Sequence, residues 1–237
     1  MTQTSSLILP LQLLETFRVS TPTVFEALMG KDLPRDVADA RLRGWAENAV
    51  RLARCQLIVE GLEHVDGGSH ILMSNHQSAY DVFTLFVAYP RSMRMIAKKA
   101  MFALPIMGRS MKIAGFVEID RSNHERALLA LERAKEIMAT GINIWIAPEG
   151  TRSDDGVLLP FKRGGFMMAQ QMDCPILPVS IEGSREVLPA KDYRVRKGQT
   201  VKITFHPPVH PADFGTDGRD ALMADVKKTI ASALPYR

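Results

Sequence analysis

His76 is followed five positions later by Asp81, just beyond the apolar run Ile71-Leu72-Met73. A carboxylate bonded to one imidazole nitrogen fixes the tautomer and stabilises the protonated ring. The other nitrogen is then free to take a proton, as a general base does. Five positions is not a helical repeat, so the two side chains meet only if the chain turns between them. The same segment, Asn75-His76-Gln77-Ser78-Ala79-Tyr80-Asp81, also reads as a helix start. Ser78 would cap it and Asp81, three residues on, would complete a capping box. The segment by itself leaves both readings open.

Three further segments carry reactive or charged groups at the ends of apolar runs. Ala147-Pro148-Glu149-Gly150-Thr151-Arg152-Ser153 follows Ile142 to Ile146. Gly150 permits a tight turn there, so Glu149 and Arg152 project from one loop, and arginine suits bidentate binding of phosphate. Taken singly, those charges read as a solvated surface turn. Gly115-Phe116-Val117-Glu118-Ile119-Asp120-Arg121 is a short strand pattern ending on a cation, and Cys174-Pro175-Ile176-Leu177-Pro178-Val179 is an apolar run bracketed by prolines.

The elements that must position these groups alternate. Apolar runs predict strands over 56–60, 70–74, 94–97, 116–119, 142–147, 176–182 and 200–206. Helical spacing predicts helices over 79–89, 123–139, 164–172 and 219–233, the last with Leu222, Val226 and Ile230 on one face. The first fifty-odd residues read as helical, including an amphipathic run over 36–55. Strands alternating with helices give an α/β fold, a mixed, mostly parallel sheet flanked by helices. Residues 200–205 alternate apolar and polar, as a half-exposed edge strand would. In such sheets ligands gather in the loops beyond the strand ends, where all four segments lie.

Composition sets wide bounds. The 237 residues are 46% hydrophobic and 24% charged, with a net charge of +4, an ordinary globular composition. A mildly basic chain suits an anionic lipid surface or a phosphorylated substrate. Scattered basic residues and 7% aromatics do not form the basic, aromatic-laced surface of a nucleic-acid binder. Cys55 and Cys174 imply neither a disulfide framework nor a metal site, and Pro207 and Pro208 separate His206 from His210, so no metal is expected. No basic residue precedes the apolar stretch Leu7 to Leu14, and nowhere do about 18 apolar residues run together. Neither a signal peptide nor a conventional transmembrane span is expected, so any membrane contact would be peripheral.

Together, in this order, the four segments resemble the motif blocks of the glycerolipid acyltransferase family, most closely 1-acylglycerol-3-phosphate O-acyltransferases. Lys98-Lys99 followed by Leu104-Pro105-Ile106-Met107-Gly108, and Pro160-Phe161-Lys162-Arg163-Gly164, are similar to family flanking sequence. The resemblance implies transfer of a fatty acyl group from acyl-CoA or acyl carrier protein to the free hydroxyl of a lysophospholipid acceptor. Phosphatidic acid would form at the cytoplasmic side of a membrane, with no cofactor, metal or acyl-enzyme. It implies His76 as general base and Asp81 as its orienting carboxylate. Acceptor binding would fall to Arg121, Glu149, Gly150, Thr151 and Arg152, with Arg121, Arg152 and Lys99 on the phosphate. Glu149 would position its loop or a glycerol hydroxyl, since a carboxylate repels phosphate. Two positions depart from the family: Ala147 where phenylalanine is common, and Glu118, an extra carboxylate near the phosphate site.

The expected organisation is an N-terminal helical segment, 1–55, in contact with membrane, and an α/β acyltransferase domain, 56–237. Leu7 to Phe17 and Phe25 to Met29, beside Arg18, Lys31 and Arg35, would supply the contact. Rival readings are the same chemistry on glycerol-3-phosphate or a lyso-aminolipid, a His-dependent esterase, and a lipid-binding module without turnover. The esterase lacks a Gly-x-Ser-x-Gly elbow.

Overall fold

Strands buried on both faces read as unbroken apolar runs, and such runs build the centre of this sheet. The computed structural model describes residues 3–120 and 124–235. Ile71–Ser74 (β3), Asn143–Ile146 (β6) and Ile176–Glu182 (β7) are almost wholly buried and lie side by side. Met93–Lys98 (β4) and Val117–Ile119 (β5) extend one flank, and Thr200–Phe205 (β9) and Gln56–Glu60 (β2) the other. The order is β2-β9-β7-β3-β6-β4-β5. Neighbours are parallel except β7 with β9, so the sheet is mixed and mostly parallel, as its sequence predicts.

Alternate residues of the central strands enter two separate cores. Leu72, Trp145 and Leu177 face Arg35–Leu52 (α2) and Tyr80–Ala88 (α3), whose Ala46, Ala49 and Leu85 are fully buried. Ile71, Ile144 and Ile176 face His124–Ala139 (α6), Gly164–Met172 (α7) and Arg219–Ser232 (α9). Leu222, Val226 and Ile230 of α9 are all fully buried, so the expected face is the packed one. Short helices Lys99–Phe102 (α4) and Met107–Ile113 (α5) link β4 to β5, and Ser184–Val187 (α8) follows β7.

One expectation is corrected. β9 is not an edge strand: it lies between β2 and β7, and β2 is the edge. The alternation in β9 has another cause. Val201, Ile203 and Phe205 enter the core beside α2 and α3, while Thr200, Lys202 and Thr204 face a side that stays partly open, where Lys202 pairs with Glu60 at 2.9 Å. The N-terminal apolar stretches are one helix, Ile8–Leu28 (α1), with Pro22 inside it. Pro10 falls in the first turn, where a missing N–H leaves no helical bond unmade.

Helix α1 is tied to α2 by Trp45 Nε1 donating to Thr16 Oγ1 at 2.9 Å and by Arg41 bonded twice to Glu26, at 2.8 and 2.7 Å. It also packs along α5. Just ahead of α1, Thr4–Ser5 (β1) pairs antiparallel with Val195–Arg196 (β8). Among the described residues no helix is long and apolar enough to cross a membrane.

Arg94 on β4 is 1% exposed and donates to Asp39 of α2 at 2.6 Å and to the Ala114 carbonyl ahead of β5. It therefore joins the outer helix layer to the flank of the sheet. Asp39→Ala strands a buried guanidinium without its carboxylate, and urea denaturation should show a loss of about 3 kcal/mol. A loss under about 1 kcal/mol would mean that the backbone carbonyls alone satisfy Arg94.

Candidate functional site

The chain leaves β3 through a residue that prolongs the sheet. Asn75 donates to the Ile181 carbonyl and accepts the Ile181 N–H, both at 2.8 Å, imitating one more step of the β3–β7 ladder. Trp145 of β6 donates to Ser74 Oγ at 2.9 Å on the other side. His76 thus starts from a fixed strand end.

The turn required between His76 and Asp81 is present. His76 Nδ1 lies 2.7 Å from Asp81 Oδ2, and that same oxygen accepts the N–H groups of Gln77 at 2.7 Å and Ser78 at 2.9 Å. Ser78 Oγ accepts the Tyr80 N–H at 3.0 Å and donates to the Leu188 carbonyl at 2.8 Å. The two readings of this segment are therefore compatible: the bonds from the Gln77 and Ser78 amides are what bring the carboxylate to the ring. Asp81 is fully buried, and its carboxylate accepts from Nδ1, which leaves Nε2 as the free basic nitrogen. The imidazole side chain is 21% exposed, with Trp145 meeting it edge-on at 6.1 Å.

Glu149 is 3% exposed and turns inward. Oε1 accepts the His76 N–H at 2.7 Å and Oε2 the Leu159 N–H at 2.8 Å. Ser153 N–H donates to the His76 carbonyl at 2.8 Å, and Gln77 Nε2 to the Gly156 carbonyl at 2.9 Å. The peptide groups on either side of His76 are thus clamped by one loop. Gly150, at φ 76°, makes the turn that allows it, with its N–H on the Ala147 carbonyl at 3.0 Å. Burial pushes the Glu149 carboxyl above its ordinary 4.5, while the N–H bonds from Leu159 and His76 pull it back.

Of the other residues singled out by sequence, Thr151 is exposed and Arg152 half-buried on the same loop. Among the described residues Arg152 has no acidic partner. Lys99 stands farther along the sheet, at the end of β4, 3.2 Å from Asp120. It borders a cleft of about 460 Å³ shared with Lys112, Val117, Glu118, Asp120 and Arg133. Arg121 lies outside the described residues. Glu118 is paired with Lys112 at 3.2 Å, so its charge is offset from within the cleft.

Asn75, Ser153 and Trp145 are site residues that the motif reading quoted without a role. Their signal was position, at strand ends beside His76 and Arg152. Lys112 lies on α5, where no helix was expected, and its pairing is purely tertiary.

Over half of the chain, residues 56–182, matches the acyltransferase family. The chain belongs to that family. A chloroplastic 1-acyl-sn-glycerol-3-phosphate acyltransferase of Brassica napus is 29% identical over 178 residues, covering 74% of this chain and 50% of that protein. The alpha enzyme of the same name from Homo sapiens is 30% identical over 174 residues, covering 73% and 61%. The chain spans about half the length of the first curated relatives it matches. The crystal structure of the 1-acyl-sn-glycerophosphate (LPA) acyltransferase PlsC from Thermotoga maritima superposes with a TM-score of 0.74 at 25% identity, covering 94% of both chains.

Glu149→Gln turns an amide NH₂ toward one of the two N–H donors and breaks one arm of the clamp. Turnover should fall about a hundred-fold through misplacement of His76, with acceptor KM little changed. A residue that held a glycerol hydroxyl would raise KM instead. The pH dependence has a defined sign. The folded chain holds the Glu149 proton more tightly than the unfolded chain does, so this group's contribution to stability is full below 4.5 and declines as pH rises through the window above it. The Tm advantage of wild type over Glu149→Gln should shrink across that window.

Proposed function

We propose that this acyltransferase moves a fatty acyl group from acyl-CoA or acyl carrier protein to the free hydroxyl of 1-acylglycerol-3-phosphate, forming phosphatidic acid. The observation that carries the reading is His76 with Nδ1 held by buried Asp81, and its backbone clamped by the loop that presents Arg152. Nε2 takes the proton of the acceptor hydroxyl as that oxygen attacks the thioester carbonyl carbon. The C–S bond breaks as the tetrahedral centre collapses, and the departing thiolate recovers the proton from the imidazolium. A thioester is already activated, so proton removal and positioning supply most of the acceleration.

The N–H groups of His76, Gln77, Ser78, Gly150 and Ser153 all have acceptors within the protein. The Thr151 and Arg152 amides have none among the described residues. We assign them to the developing oxyanion, and the Arg152 guanidinium to the acceptor phosphate. Lys99 and Arg121 are assigned to the same phosphate, and Glu149 to holding the loop.

The acceptor is a membrane lipid, and helix α1 suits a peripheral contact with the membrane, on its cytoplasmic side. Leu7 ahead of it, Leu11, Leu14, Phe17, Phe25 and Leu28 are exposed. Of the cations expected beside them, Arg18 is bound to Glu15 at 2.6 Å and Arg35 to the Thr140 carbonyl at 2.7 Å. The apolar face, with exposed Lys31 beside it, therefore carries most of the contact.

Purified protein given a labelled acyl thioester and a panel of acceptors should select 1-acylglycerol-3-phosphate over glycerol-3-phosphate and lyso-aminolipids. Release of free fatty acid without any acceptor would identify an esterase instead. His76→Ala should remove roughly two to four orders of magnitude in rate at an unchanged melting temperature. Arg152→Ala should raise acceptor KM about ten-fold or more. Leu11→Ser/Leu14→Ser should weaken co-sedimentation with anionic vesicles, and unchanged binding would remove α1 from the contact.

A further inference from the structure

Ala103, Leu104, Pro105 and Ile106 fill the turn between α4 and α5, and all of them are exposed, Leu104 at 46% and Ile106 at 38%. A run of consecutive exposed apolar residues is unfavourable in water unless something covers it in use. The backbone makes the run more telling. Ile106 has φ 61° and ψ −59°, and the Met107 N–H reaches over it to the Pro105 carbonyl at 2.6 Å. This is a γ-turn with positive φ at its centre, a rare and strained form, and a β-branched side chain is among the worst suited to it. Glycine would adopt it without strain, yet an isoleucine is held there, outside.

The turn has little room to relax. A Cβ on Gly108 would lie 2.1 Å from the Phe102 carbonyl oxygen, so the start of α5 is pressed onto the end of α4. Around the apolar tip, Lys98, Lys99, Arg109 and Lys112 are all exposed. Lys99 and Lys112 are engaged by Asp120 and Glu118, whereas Lys98 and Arg109 have no acidic partner among the described residues. Helix α5 packs against α1, which exposes Leu11, Leu14 and Phe17. An apolar tip flanked in the chain by cations, beside a helix that packs against α1, complements an anionic bilayer surface.

We propose that the Leu104-Pro105-Ile106 turn is a wedge that inserts into the apolar layer of an anionic bilayer. Lys98 and Arg109 meet headgroup phosphates at its shoulders. Lys99, in the turn of helix just before the wedge, borders the neighbouring cleft. A lipid acceptor can then pass from bilayer to cleft without its acyl chain crossing water. The role of the wedge in delivery rests on the proposed lipid acceptor; its insertion does not.

The test uses Leu104→Ser/Ile106→Gly, which removes the apolar tip and relieves the strained backbone, so the variant should fold. Partition onto phosphatidylcholine–phosphatidylglycerol vesicles should fall about ten-fold or more. Turnover of a short-chain, monodisperse acceptor should stay at the parental rate. Separately, Leu104→Trp should show an added, blue-shifted emission on vesicle binding, quenched by lipids brominated on their acyl chains. Unchanged partition, or tryptophan emission that acyl-chain bromine leaves unquenched, overturns the wedge. So does an equal loss of turnover on monodisperse and bilayer-borne acceptor, which would make the turn part of the active site. A change in self-association with unaltered vesicle binding overturns it too, in favour of a protein partner. If the parent protein acylates no acceptor, the proposed function fails, while partition and quenching still decide insertion.

Discussion

One buried carboxylate holds the candidate site together. Glu149 accepts the main-chain N–H of His76 on one oxygen and that of Leu159 on the other, joining loops that follow different strands. Both donors need an acceptor once buried, and a carboxylate is the side chain that can accept twice and donate nothing. Were it to point at substrate, His76 would lose its anchor and a phosphate would meet a negative charge. Turned inward, it fixes the loop whose outward residues are Gly150, Thr151 and Arg152. The order of residues in that loop is thus a division of labour, with Glu149 facing the protein and the residues after it turned outward.

The sheet explains why such a clamp can be built. β3 lies between β6 and β7, all parallel, so the ends of these three strands release their loops on one side of the sheet. His76 leaves β3, Glu149 leaves β6, and Leu188, which receives the Ser78 hydroxyl, follows α8 after β7. Residues distant in the chain meet there because their strands are neighbours. Charge is compensated along the flank in the same local way. Glu118 and Asp120 each face a lysine, so the one acidic departure, Glu118, has its charge offset beside the cleft.

Much of this was legible in the sequence, and the limits follow from what a linear pattern contains. Central strands such as β3 and β7 announce themselves because both faces are buried and most of their residues are apolar. The His76 segment is ambiguous for a sound reason: the Asp81 oxygen that accepts the Gln77 and Ser78 amides is also the one that meets the imidazole. β9 was misplaced at an edge because its alternation records an uncovered face, which an interior strand can also have. The α4–α5 region gave no helical signal, being two short helices broken by Pro105 and by an isoleucine in an unfavourable conformation. Pairings such as Lys112 with Glu118 depend on how α5 is laid against β5, and spacing along the chain carries no trace of that.

The three bonds that converge on Asp81 Oδ2 couple two properties usually thought separable. The oxygen that meets the imidazole also holds the turn leading into helix α3, through the Gln77 and Ser78 amides. Fraying of the first turn of α3, which carries Asp81, would therefore release the His76 ring while the sheet stayed intact. The imidazole keeps its orientation only while the turn that leads into that helix is intact.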